Sequence, residues 1–281
     1  MAPELIYITK SSGERVPYEA EKLRHSLAKA GADYGLVETI LTEVEKSLYN
    51  GISSKKIYRQ AFNLLKKQSR PNAAKYKLKR ALMELGPSGF PFEKYIGEIL
   101  AFHGYQIEVG IMMEGQCISH EVDVLAKKEK RQLAVECKFG NKRDKKVDVK
   151  VALYIHSRFR DLEQKWQKQP DWGDKQAEGW IVTNASFTRD AATYGSCAGL
   201  TLISWDYPAQ GNLKDLIERS GLYPLTSLSG LTKAEKQHLL EAEIVLAKGL
   251  LERPAAFEEL RMSTHRRKKL LDEVEGLCGH C

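Results

Sequence analysis

Apolar and polar residues alternate with two different periods between Phe92 and Lys138. From Pro91 to His103 the apolar residues return every three or four positions, which predicts a helix; they are Phe92, Tyr95, Ile96, Ile99 and Leu100. From His120 to Leu125, and again from Gln132 to Lys138, they occupy about every second position, which predicts two strands. The charged residues 127–131 between them predict a turn, so we expect an antiparallel hairpin.

The pattern extends on both sides and predicts an α/β domain over residues 87–210. A first strand is expected at 105–111, with a turn at 113–116. Because strands and helices interleave, we expect a central mixed sheet with helices on both sides. The later predicted elements are a helix over 149–169, a strand over 180–183, a helix over 188–195 and a strand over 200–204.

Residues 1–86 predict a small, mostly helical domain. Strands over 5–9 and 15–18 form a hairpin around a Ser-rich turn. Four helices are then predicted, over 19–30, 35–49, 54–67 and 71–85. The segment Gly86-Pro-Ser-Gly89 is the predicted linker, and its shortness implies close coupling to the next domain.

Residues 211–281 predict a helical C-terminal region. Its helices are expected over 212–220, 232–251, 254–260 and 264–277, and Thr232 and Glu235 have capping-box spacing. Cys278 and Cys281 have Cys-x-x-Cys spacing but no second ligand pair, so we expect a frayed terminus. Weak metal binding by this pair is the alternative.

The net charge is +7, and the basic residues are clustered. No Asp or Glu occurs from Lys46 to Met83, a second basic cluster spans 138–150 and includes Arg143, and a third is Arg266-Arg-Lys-Lys269. Clusters of this kind suit a polyanion such as nucleic acid. Each cluster by itself is equally compatible with a solvated face.

The composition also indicates in which cellular compartment we expect the protein. No apolar run approaches the ~18 residues that a membrane span needs, and the N-terminus lacks the pattern of a signal peptide. The five cysteines are few and odd in number, which argues against a disulfide framework. We therefore expect a cytoplasmic protein with no membrane partner.

The predicted hairpin brings Asp123 beside Glu136. Glu136 and Lys138 lie on one face of their strand, roughly 6.6 Å apart. Two adjacent carboxylates with little to neutralise them favour a divalent cation, and a nearby lysine can orient a water that attacks phosphorus. Glu93 either completes this site or interacts with its helix dipole. An ion pair between Glu136 and Lys138 without catalytic function is the alternative.

The order of these elements resembles the Mrr-like restriction endonucleases of the PD-(D/E)xK superfamily. The matching features are the Phe92-Glu93 helix, Gly104-Tyr105, Asp123, Glu136-Cys-Lys138, and Gly179-Trp-Ile-Val-Thr-Asn184 with Phe187-Thr188 and Ala191-Ala192. The resemblance implies DNA cleavage with Mg²⁺ or Mn²⁺ and a 5′-phosphate product. It also implies metal binding by Asp123, Glu136 and the Cys137 carbonyl, with Lys138 and Glu93 in the catalytic site.

The N-terminal region resembles the ATP-cone, a domain that senses ATP or dATP. The matching residues are Ile8-Thr-Lys10, Gly13, Val16-Pro-Tyr18, Lys22-Leu23, the helix from Ser54 to Leu65, Ala73, Tyr76 and Arg80. The resemblance implies that Lys10, Lys22, Tyr76 and Arg80 bind the nucleotide. Ser11 stands where the family has Arg, which removes one phosphate contact.

Together these features predict an endonuclease that ATP or dATP regulates. We also expect a homo-oligomer, either a dimer or a tetramer. Two alternatives stay open: a nucleotide-responsive DNA-binding regulator without cleavage, and a structure-selective nuclease that acts on junctions or RNA. The intact Asp123, Glu136 and Lys138 argue against the first.

Overall fold

The computed structural model describes residues 5–142 and 145–279; Arg143 and Cys281 of the motifs above lie outside them. The N-terminal part has a three-stranded sheet in the order β2-β1-β3, with β1 antiparallel to β2 and parallel to β3. Its elements are β1 Tyr7–Thr9, β2 Arg15–Pro17, α1 Ala20–Lys29, α2 Tyr34–Glu45, β3 Ile52–Ser53, α3 Ser54–Gln68, α4 Arg70–Tyr76 and α5 Leu78–Met83.

Two details here differ from the sequence prediction. Strand β3 was not predicted, because two residues are too short to show a period, and it forms only by pairing with β1. The helix predicted over 71–85 is two helices that meet at Lys77. The Lys77 ammonium donates to the carbonyl of Thr226, 149 positions later, at 2.9 Å, a contact that local sequence does not reveal.

The central part is built on a five-stranded sheet in the order β10-β8-β6-β5-β4, which confirms the predicted mixed sheet. β4, β5 and β6 are antiparallel, whereas β6, β8 and β10 are parallel. The elements are α6 Phe90–Phe102, β4 Gln106–Glu114, β5 Ser119–Lys128, β6 Arg131–Lys138, β7 Lys146–Val147, α7 Val149–Trp166, β8 Gln176–Thr183, β9 Ser186–Phe187, α8 Arg189–Cys197 and β10 Thr201–Ile203.

Separate apolar cores cover the two faces of this sheet. On one face, Val124 and Val135 pack with α6, with the last helix of the N-terminal part and with the C-terminal region. On the other face, Leu125 and Ala134 pack with α7, whose buried residues include Phe159 and Trp166. Burial on both faces explains the continuous apolar run Leu133–Val135 in the middle of β6, with polar and charged residues on either side of it.

The C-terminal region contains α9 Leu213–Ser220, a 3₁₀ turn at Leu225–Ser227, α10 Lys233–Glu241, α11 Gly249–Glu252, α12 Ala256–Glu259 and α13 Thr264–Cys278. The predicted helix over 232–251 is wrong: it is interrupted after Glu241, and Glu243 has a φ of +62°. Residues 244–247 are buried, and residues 245–247 pair with residues 223–225 around an isolated antiparallel bridge. The β-branched Val245 suits this pairing, which depends on a distant segment.

One member of the third basic cluster has a structural partner. The Arg266 guanidinium donates to both carboxylate oxygens of Glu235, at 2.6 and 2.5 Å. Chiefly through this contact, Arg266 lowers the pKa of Glu235 to about 2. Arg266 therefore ties α13 to α10 instead of presenting a free charge to phosphate. None of the helices in residues 5–142 and 145–279 has the length and apolar character needed to cross a bilayer.

Glu273 of α13 anchors the turn that precedes α10. Its side chain is buried, and it accepts hydrogen bonds from the N–H groups of Ser229, at 2.6 Å, and Gly230, at 3.0 Å. Both bonds link residues more than 40 positions apart. The nearest cation is Arg70 of α4, 3.9 Å away, so the same carboxylate faces the N-terminal part.

We predict that Glu273→Leu destabilises the protein by about 2–4 kcal/mol, because it removes the acceptor of two partly buried N–H donors and a charge partner of Arg70. Urea unfolding followed by tryptophan fluorescence measures this. The matched control is Glu275→Leu, an exposed position on the same helix, for which we expect a change within about 0.5 kcal/mol. Equal midpoints for the two variants would contradict the anchoring function.

Candidate active site

Strands β5 and β6 separate at Asp123. Their paired register ends at Val124 opposite Val135, although each strand continues to pair with its other neighbour. Beyond that pair, the Cys137 N–H donates to Oδ2 of Asp123 at 2.7 Å, so a side chain takes the place of a backbone carbonyl. The carboxylate is thereby held in the opening between the strands.

The neighbouring strand β4 changes conformation at the same level. Gly110, opposite Asp123 in the register, has a φ of +65°, a value that glycine adopts at little cost. On one side of this position Val109 packs in the α6 core, and on the other side Ile111 packs in the α7 core. The side chain before Gly110 therefore packs on the α6 side of the sheet and the one after it on the α7 side, at the level of the candidate site.

Glu136 lies across the opening and is held from two sides. It is 7% exposed. Its Oε2 accepts from Nη1 of Arg158 at 2.8 Å, and its Oε1 contacts the ammonium of Lys138. Arg158 also donates to the backbone carbonyl of Glu121. Arg158 lies three residues after Ile155 and four before Leu162, on the buried side of α7.

Glu93, in the first turn of α6, belongs to the same electrostatic cluster. Burial, followed by the charges of Asp123, Glu121 and Glu136, raises the pKa of Glu93 to about 7, against a smaller opposing effect of Lys138. Burial and then the charge of Glu136 raise the pKa of Asp123 to about 6. The cluster therefore holds more negative charge than its cations neutralise.

This excess negative charge would favour a metal ion if the oxygen atoms present suit one. In the described ranges, no three His, Cys, Asp or Glu residues are arranged to hold a metal together. Magnesium, however, is commonly bound through one or two carboxylates with carbonyls and waters. Asp123 and Glu136 with the Cys137 carbonyl offer such an oxygen set. The Cys137 thiol packs in the α6 core, and burial raises its pKa well above the usual range, so it does not suit ligation.

Two polar residues of the segment Gly179–Asn184, to which the sequence analysis gave no individual function, hold the end of β6. The Thr183 hydroxyl, fully buried at the end of β8, donates to the carbonyl of Lys138 at 2.5 Å. The Asn184 side chain accepts from the Gly140 N–H at 2.7 Å and donates to its carbonyl at 2.9 Å. A Thr-Asn pair directly after a buried apolar strand is the only sequence signal for this function.

The four residues expected to bind nucleotide have different surroundings. Lys10 and Lys22 are exposed and pair with Glu14 and Glu19 at 2.8 and 2.7 Å, respectively. Tyr76 is partly buried and stacks on Tyr58, with ring centroids 4.9 Å apart. Burial and then Tyr58 raise its pKa. Arg80 contacts Glu84 at 3.0 Å and lines two cavities on α5.

Comparisons with known proteins agree with this architecture. An uncharacterized protein of Archaeoglobus fulgidus is 29% identical over 187 residues, which are 66% of this chain and all of that protein. The crystal structure of a protein of unknown function, AF1548, has 26% sequence identity and a TM-score of 0.55. It covers 69% of this chain and all of its own.

Family models match three consecutive segments. The ATP cone domain matches residues 6–82, the restriction endonuclease family matches residues 86–207, and the AF1548-like C-terminal domain matches residues 223–278. The sequence predicted the first two families but assigned no family to the third. The chain therefore consists of an ATP cone domain, a restriction endonuclease domain and an AF1548-like C-terminal domain.

Proposed function

We propose that this protein is a metal-dependent endonuclease that cleaves DNA, with its activity controlled by ATP or dATP in the ATP cone. The observation that carries the proposal is the position of Asp123 and Glu136 at the opening between β5 and β6, beside Lys138, with Glu93 near enough for their charges to raise its pKa. Carboxylates whose pKa values are raised by burial and then by one another are costly to keep ionised unless a cation joins them.

In this proposal each residue has a distinct function. Asp123, Glu136 and the Cys137 carbonyl hold Mg²⁺ or Mn²⁺; when bound, the metal supplies positive charge to the scissile phosphate and acidifies a water. The Lys138 ammonium orients the attacking water. Arg158 and Thr183 are positioning residues, because the first fixes the Glu136 carboxylate and the second fixes the backbone of Lys138.

Nucleotide control is the second part of the proposal. Lys10 and Lys22 are exposed and paired only with local glutamates, so both ammonium groups are available to phosphates. Tyr76 and Tyr58 provide an aromatic surface for a base. The ATP cone also contacts the C-terminal domain, through Lys66 to the Ser229 carbonyl at 3.1 Å. A change in the ATP cone therefore reaches the rest of the chain by packed contacts.

We predict that Glu136→Gln and Lys138→Ala each reduce plasmid cleavage roughly a hundredfold or more, because they remove a metal ligand and a group that stabilises the transition state. Nicking and linearisation with Mg²⁺ or Mn²⁺, and with EDTA as a blank, measure this. The matched controls are Glu108→Gln of β4 and Lys127→Ala of β5, an exposed ion pair on the same sheet, and both should cut like the wild type.

Three outcomes of this experiment would contradict the proposal. If no folded, metal-supplied form cuts plasmid, the DNA-binding regulator becomes the better interpretation. If only branched DNA or RNA competes for cleavage, the enzyme is a structure-selective or RNA nuclease. If the Glu136 and Lys138 variants cut as well as the wild type, the site has been placed wrongly.

We predict that the cleavage rate falls as the pH is lowered from about 7 towards 5.5. Since the pKa values of Glu93 and Asp123 are raised to about 7 and about 6, protonation begins near neutral pH and removes the negative charge that binds a metal. Single-turnover rates between pH 5.5 and 8.5 measure the profile. Glu93→Gln should shift the acidic limb of the pH–rate profile to lower pH, and a flat wild-type profile would refute the prediction.

We predict that Lys10→Ala and Lys22→Ala weaken ATP binding at least about tenfold, because each removes a cation that contacts phosphate. Titration calorimetry of the full chain with ATP and dATP measures the affinities. Lys29→Ala, another exposed lysine near Lys22 on α1, is the control and should bind normally. Cleavage with and without each nucleotide then shows the sign of control, and identical rates throughout would separate the nucleotide site from the nuclease.

A further inference from the structure

A large cavity lies where the three domains meet. Its volume is about 1030 Å³, and its walls include Arg80 and Met83 of α5, Pro87 of the linker, Asn141 of the loop after β6, and Lys236 and Leu240 of α10. We call it the junction cavity. Ligand sites occur preferentially between domains, with volumes of about 300–1,000 Å³ and mixed apolar and polar walls.

The inner wall of the junction cavity contains more positive than negative charge. The Lys236 ammonium is buried and donates to the Thr226 carbonyl at 2.7 Å. Lys77, which does not itself line this cavity, donates to the same carbonyl at 2.9 Å. One carboxylate serves both lysines: Oε2 of Glu84 is 3.1 Å from the Lys77 ammonium and 3.8 Å from that of Lys236. The buried Lys236 and the partly buried Lys77 thus share one carbonyl and the carboxylate of Glu84, and the charge of Glu273 also acts on Lys236.

The pKa of Lys236 reflects the cost of burying its ammonium close to Lys77. Burial first, and then the charge of Lys77, lowers the pKa of Lys236 to about 7. A folded protein seldom keeps a buried lysine in such surroundings when a neutral residue of similar size would pack there. An added anion would offset the excess charge and stabilise the ammonium.

The mouth of the cavity adds further positive charge. Arg80 is half exposed there, and Lys233 is exposed in the first turn of α10, where the helix dipole is also positive. Among the ionisable side chains that line the cavity, three are cationic and only Glu84 is anionic. The remaining wall formed by Met83, Pro87 and Leu240 is apolar and can accommodate an uncharged moiety.

We propose that the junction cavity binds a small phosphate-bearing molecule with the charge of a diphosphate, separately from a nucleotide site at Lys10, Lys22 and Tyr76. In this proposal Arg80, which the ATP-cone resemblance assigned to the nucleotide site, belongs to the junction cavity instead. Arg80, Lys233 and Lys236 contact the phosphate groups, and the apolar wall contacts the rest of the molecule. The proposal does not depend on whether the protein cleaves DNA, because it rests on the charge and shape of a different region.

The linker brings this cavity close to the candidate active site. Gly86, in the cavity wall, packs so closely on Phe139 that an added Cβ would lie 2.5 Å from the phenylalanine ring. Phe139 directly follows Lys138, and its ring is also 5.9 Å from that of Phe92 in α6. A molecule in the junction cavity would therefore contact the segment that supports the end of β6.

The test is titration calorimetry of the full chain with pyrophosphate, which carries the charge but not the base of a nucleotide. We expect wild-type binding with a dissociation constant below about 1 mM. Lys236→Met should weaken it at least about tenfold while keeping the side-chain volume. Lys233→Glu, at an exposed position that does not endanger folding, should do the same. Lys248→Met of the same domain and Lys22→Ala of the ATP cone should leave this binding event intact.

Three results would overturn the proposal. One is the absence of wild-type binding at millimolar pyrophosphate. Another is loss of all binding in Lys22→Ala together with full retention in Lys236→Met and Lys233→Glu, which would assign the anion to the ATP cone alone. The third is equal weakening by Lys248→Met, which would mean that only the overall charge matters. Circular dichroism of each variant verifies that the fold is retained.

Discussion

The candidate site depends on one hydrogen bond, from the Cys137 N–H to the Asp123 carboxylate. In an uninterrupted hairpin that N–H would meet a backbone carbonyl and the two strands would remain closed. Because a side chain accepts it instead, β5 and β6 open while both stay in the sheet through their outer neighbours. The opening brings a carboxylate to the end of β6 without leaving a backbone donor unsatisfied.

The surroundings of that opening balance two opposing requirements. A metal site needs concentrated negative charge, but the folded chain must tolerate that charge before any cation binds. Arg158 and Lys138 pair with Glu136, whereas the pKa values of Asp123 and Glu93 are raised, first by burial and then by neighbouring carboxylates. Arg158 reaches the site because α7 packs against the sheet face opposite α6. The two helices therefore contribute different residues: α6 carries Glu93, and α7 carries the Arg158 that pairs with Glu136.

The three domains are more closely integrated than a chain of separate modules. The last helix of the ATP cone, the α6 face of the sheet and the C-terminal domain share one apolar core. Polar contacts reinforce it, since Lys66 and Lys77 of the ATP cone donate to carbonyls of the C-terminal domain. Such packed contacts make it physically reasonable that a ligand in one domain affects another, and they place the junction cavity where all three meet.

Local periodicity in the sequence determined the central α/β architecture and the hairpin with Asp123 and Glu136, because helix and strand periods depend only on neighbouring residues. Turn-forming residues indicated the short linker. It did not reveal β3, the division between α4 and α5, or the paired segment 245–247, since each depends on a partner far along the chain. Arg158 and Thr183 became recognisable only when α7 and β8 packed beside β6. The sequence thus determined which chemical groups are available, and tertiary packing decided which charges are neutralised, because burial and distance to a partner are properties of the folded chain alone.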